Sequence, residues 1–162
     1  MLFRSELSSE GCEIDGYWAD DACIDENGKN LEAKKINQIK KDCKWQGLYF
    51  GGTAFKKQRV ILEDQYVNAA KYASKFMDVV TTSGVATGKE AKISKIQLFR
   101  SSIGDKPLAL ASGITVDNAK NYSEVDCFMV ATGINYDDNF YEIDPMKLSK
   151  LLNVCRQIGK GE

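Results

Sequence analysis

Histidine is absent from the 162-residue chain. That removes the commonest general acid/base and a frequent zinc ligand. Any catalysis must therefore use Asp, Glu, Lys, Tyr, Cys or bound water. No C-x-x-C pair occurs: the five cysteines, Cys12, Cys23, Cys43, Cys127 and Cys155, are odd in number and widely spaced. This pattern fits reduced thiols in a cytoplasmic protein and gives no metal-binding set. No apolar run approaches the roughly 20 residues that cross a bilayer. The start, MLFRSELSSEG, lacks the basic residues followed by an apolar stretch that mark a secretory signal. An excess of either charge is missing too. With 22 basic and 23 acidic residues the net charge is −1, which argues against a dedicated nucleic-acid or anionic-membrane binder.

What remains is an ordinary globular composition, 43% apolar and 28% charged, in a chain long enough for one domain with a core. Residues 2–7 (LFRSEL) read as a short strand and 12–25 as an acidic loop. Residues 30–43 read as a helix with Leu31, Ile36, Ile39 and Cys43 on one face, and WQGLYFGG (45–52) as a buried strand. Tyr66, Ala69, Ala70 and Ala73 have helical spacing within 63–76. A strand is expected at 77–83, a helix at 89–100 (Ile93, Ile96, Phe99), a strand at 107–111, a short helix from about 116 and a strand at 127–131. Asp144-Pro145 then opens a last helix with an N-cap and a first-turn proline. The strands are unbroken apolar runs such as LALA and FMVA, as in parallel sheets buried on both faces. Strand–helix alternation makes this an α/β fold of about five parallel strands.

Three of these strands end in similar loops: Thr82-Ser83-Gly84-Val85-Ala86-Thr87-Gly88, Ser112-Gly113-Ile114 and Thr132-Gly133-Ile134. The carboxyl end of a parallel sheet is where ligands bind. Glycine permits close backbone approach, and backbone amides there can face an anion. Ser112, Gly113, Thr132 and Gly133 are therefore the candidate phosphate cradle. Ser83, Gly84, Thr87, Gly88 and Asn118 are the candidate pocket wall, and Thr115 is expected to cap the short helix. The plain alternative is that the glycines only make tight turns. The first loop is not a P-loop, because Gly84 is followed by Gly88-Lys89-Glu90 and not by the G-x-x-x-x-G-K-S/T order. Valine at Gly113 or Gly133 is expected to abolish anion binding while leaving the fold largely intact.

The succession DGYWADDA, WQGLYFGGTAFKKQ, MDVVTTSGVATG, PLALASGITVDN and CFMVATGI…DP resembles the BtpA-like (BtpA/SgcQ) family, from the start of the chain to about residue 152. The resemblance implies a TIM (β/α)8 barrel whose C-terminal portion, about strands four to eight, this chain would supply. One family member is linked to photosystem I biogenesis, which implies a non-catalytic assembly factor as the alternative to an enzyme. The family pattern has a histidine where this chain has Lys56-Lys57-Gln58. Eight βα units need about 200–250 residues, so the first three strands are expected to be missing. The chain would then be a fragment, or be completed by a second polypeptide, or self-associate. Among charged residues at strand ends, Lys56, Asp20, Asp21 and Glu6 are the catalytic candidates, with Arg4 beside the last. Each has an ordinary reading as a solvated loop residue, a cap or an ion-pair member. Asp78 and Asp126 precede strands and read as structural. Trp18, Tyr49 and Phe50 line a pocket or pack in the core. The expected ligand is a phosphorylated small molecule; no cofactor is specified.

Overall fold

The computed structural model describes residues 14–159. Five strands form one sheet in sequence order: β1 (Gly16–Ala19), β2 (Leu48–Gly52), β3 (Val79–Ser83), β4 (Leu108–Ala111) and β5 (Cys127–Met129). Every neighbouring pair is parallel. The helices are α1 (Leu31–Asp42), α2 (Tyr66–Ala73), α3 (Ile93–Ser102) and α4 (Pro145–Gly159), with 3-10 turns at Glu63–Gln65 and Ala119–Tyr122. The result is a parallel half-barrel sheet with its helices.

The strand expected at 2–7, with Arg4 and Glu6, lies outside the described residues. The fifth strand comes instead from a segment expected to be loop. Gly16, Tyr17, Trp18 and Ala19 align with Leu48, Tyr49, Phe50 and Gly51. Among the described residues, β1 is four residues long and takes the edge of the sheet, paired with β2 on one side. Acidic residues flank it and hide it in the sequence.

Side-chain alternation splits the sheet into two faces. Tyr49, Val80, Leu108 and Leu110 meet the helices in the main core, where Ala69, Ala70 and Ala73 of α2 are fully buried beside Ile96 and Phe99 of α3. Those three alanines let α2 approach closely, which is why the helical spacing at 66–73 was legible. For α1 the expected face was rotated. Leu31 and Ile39 are exposed, whereas Ala33 is buried and Ile36 packs against the core. Ile93, in the first turn of α3, is likewise exposed.

Two aspartates that precede strands tie neighbouring strands together at the amino-terminal rim. Asp78 Oδ2 accepts the Tyr49 amide at 2.8 Å and the Lys40 ammonium. Asp126 Oδ2 accepts the Leu108 amide at 2.8 Å and Arg100 at 2.9 Å. Burial, the largest single influence on Asp78, raises its pKa. The Lys40 ammonium and Tyr49 amide together outweigh it and hold the carboxyl below its ordinary value.

After β5 the chain makes an antiparallel hairpin that the strand–helix reading missed, β6 (Asn135–Tyr136) with β7 (Asn139–Ile143). Its signal was present: Asp137-Asp138 sits between aromatic-rich segments, a turn pattern. Asp144 then caps α4 as expected, its Oδ1 accepting the amides of Met146 and Lys147 at 2.8 and 3.2 Å.

Candidate functional site

The loops that leave the strands converge at the carboxyl rim around a cavity of about 670 Å³. Every element of the sheet contributes. Trp18 and Asp20 come from β1 and its end, Phe55, Lys56 and Lys57 from the loop after β2, and Thr87 and Gly88 from the loop after β3. Ser112 to Thr115 follow β4, Met129 to Gly133 follow β5, and Phe140 reaches in from the hairpin.

The proposed cradle residues Ser112, Gly113, Thr132 and Gly133 thus meet at one cavity, with Thr87 and Gly88 on its wall. Their individual jobs differ from those expected. The Ser112 hydroxyl accepts the Gly88 amide at 3.1 Å and donates to the Ala86 carbonyl at 3.0 Å. It is a strut between two loops, held with φ 80°. Gly113 also has positive φ, 76°, and a side-chain carbon there would collide with the Lys89 carbonyl. One at Gly133 would collide with the Ile114 carbonyl. These glycines are needed because backbone packs directly on backbone. Valine at either position therefore must displace a loop, contrary to the expectation that the fold would be left largely intact.

Ser83, Gly84 and Asn118 stand behind the wall. The Ser83 hydroxyl accepts the Lys56 amide at 2.8 Å and donates to the Gly84 carbonyl at 2.8 Å. Gly84 packs on the carbonyls of Lys89 and Glu90. Asn118 Oδ1 accepts the Thr115 amide at 2.8 Å, and its Nδ2 donates to the Gly113 carbonyl at 2.7 Å. Asn118 therefore shapes the cradle loop from within. The expected helix here is only a 3-10 turn over Ala119–Tyr122, and Thr115 accepts the Ala119 amide through its backbone carbonyl.

Of the charged candidates, Lys56 and Asp20 line the cavity and Asp21 does not. Asp21 Oδ1 accepts the Cys23 amide at 2.8 Å, an ordinary loop cap. Glu6 lies outside the described residues. Trp18 faces the cavity, while Tyr49 is buried and stacks on Tyr17 with ring centroids 4.5 Å apart.

Two residues that sequence reasoning passed over position these loops. Gln58 Oε1 accepts the Phe55 amide at 3.1 Å, and its Nε2 donates to the carbonyls of Asp20 at 2.6 Å and Gly52 at 3.1 Å. Lys95 of α3 is buried and donates to the Ala54 carbonyl at 2.6 Å and the Ser83 carbonyl at 2.7 Å. It also lies over Tyr66 and Phe99. It joins the loop after β2 to the end of β3, and burial pushes its ammonium down to about 8. No local sequence feature announces it, because a lysine in an amphipathic helix normally faces water.

Among the described residues, no hydrogen bond engages the backbone amides of Gly113, Ile114, Thr132 or Gly133. These four donors belong to two consecutive loops on one cavity, whose lining also includes Lys56 and Lys57.

No family model and no curated protein sequence matches the chain. Among solved structures it is similar to phosphoribosyl anthranilate isomerase from Thermus thermophilus, at 10% identity and a TM-score of 0.47. That likeness covers 98% of this chain and 95% of the other. Among the described residues, no helix is long and apolar enough to cross a membrane.

Proposed function

We propose that the chain is the C-terminal portion of a BtpA-like (β/α)8 barrel and binds a phosphorylated small molecule at the carboxyl rim of its sheet. The observation that carries this reading is the set of four amides with no hydrogen-bond partner among the described residues, on loops after β4 and β5 that line one cavity together with Lys56 and Lys57. A phosphate ester offers oxygen acceptors for such amides and a charge for the two lysines. Barrel phosphate sites commonly form on the loops after the last two strands, which is where these loops stand in the proposed register. If the site is catalytic, Asp20 is the carboxylate on the cavity and Lys56 the cation able to polarise a carbonyl or hold the phosphate.

Thermal shift with a panel of sugar phosphates and nucleotides tests the reading. At least one should stabilise the protein, and Lys56→Met together with Lys57→Met should reduce the effect. A folded protein that responds to none would support the non-catalytic assembly-factor alternative.

A further inference from the structure

The cavity has a second character beside its polar arc. Trp18 enters it from β1 and Phe55 from the loop after β2, with ring centroids 5.1 Å apart and planes inclined at 60°. Phe140 of the hairpin reaches the same cavity while 55% exposed. Met129 adds a flexible apolar surface from the end of β5. A purely polar sugar phosphate would leave these groups facing a hydrophilic body, with no return for their burial. An inorganic anion would fill only a small part of about 670 Å³. Aromatic walls favour a planar partner that stacks face to face or edge to face.

We propose that the ligand is an organic phosphate carrying a planar aromatic or heteroaromatic ring. The ring lies against Trp18 and Phe140, and the phosphate meets the amides of the loops after β4 and β5. This inference rests on the phosphate-binding reading above and adds the class of the ligand body. Lys56 borders the same cavity, its Nζ 5.7 Å from the Phe55 ring centroid.

Isothermal titration calorimetry on the full chain with four probes separates the two readings: inorganic phosphate, ribose 5-phosphate, phenyl phosphate and phenol. Phenyl phosphate should bind about tenfold more tightly than ribose 5-phosphate, the size of an added aromatic contact. Trp18→Ala should abolish most of that preference. Phe140→Ala, on an exposed hairpin position, should reduce it in a variant that leaves the core alone. Equal or weaker binding of phenyl phosphate would overturn the ring assignment while the phosphate reading stood. Phenol binding as tightly as phenyl phosphate would overturn the assignment of an anionic ligand. Failure of both organic phosphates to bind would remove both readings.

Discussion

Lys95 offers a test of how the rim loops are held. Its ammonium is buried with no carboxylate partner among the described residues, supported by the carbonyls of Ala54 and Ser83 and by two aromatic rings. Burial lowers its pKa from the ordinary lysine value to about 8. In the unfolded chain the same amine holds its proton up to about pH 10.4. Between these values the unfolded state binds more protons than the folded state, so stability rises with pH. Integrated over the window, the gain is on the order of 3 kcal/mol at most. Tyr17, Tyr49, Tyr66 and Tyr122 act oppositely. Burial raises their pKa values, so the unfolded chain loses these protons first and stability falls again above about pH 10. Urea melts at pH 7, 8, 9, 10 and 11 should show a rise followed by a turnover. Lys95→Met should flatten the rise. At pH 9 it should also be less stable than the parent by about 1–3 kcal/mol, because two buried carbonyls lose their donor. A rise of the same size in Lys95→Met would refute the assignment of the titration to this amine.

Gly133→Ala should cost about 2–3 kcal/mol in a denaturant melt, since its new carbon meets the Ile114 carbonyl; a change under about 0.5 kcal/mol would mean that the two loops yield freely. Asp78→Asn should lose about 1–2 kcal/mol at pH 7. Because the folded pKa of Asp78 is lowered, the gap from the parent should close as the pH falls below about 4, where the carboxylate protonates. The Thr81 hydroxyl is buried with no hydrogen-bond partner among the described residues, so Thr81→Val should be neutral or add about 1 kcal/mol, read by the same melt. Among the described residues β1 and β5 end the sheet, and free strand edges invite pairing. Light scattering after size-exclusion chromatography should therefore find self-association, and a monodisperse 18.0 kDa species with a sharp melt would count against it.

The parallel α/β architecture was legible in the order of residues because each central strand is buried on both faces. LALA and VVTTS have no solvent side, so their apolar or small character runs unbroken. Helix α2 announced itself through alanines at helical spacing, and α4 through Asp144-Pro145, because capping and close packing act over a few residues. The convergence of the glycine loops could also be anticipated, since parallel strands send every following loop to the same rim. What each loop residue does there could not. Whether Ser112 faces a ligand or braces Gly88 depends on how close two loops come, as does whether Gly133 meets solvent or the Ile114 carbonyl. That distance is fixed by strand register and sheet curvature, not by neighbours in the chain. The same holds for β1, which becomes a strand by pairing with β2, and for Lys95, which two distant carbonyls retain in the interior. Local patterns record how a residue treats water and its own helix or strand. Contacts between segments tens of residues apart exist only once the sheet has brought their ends together.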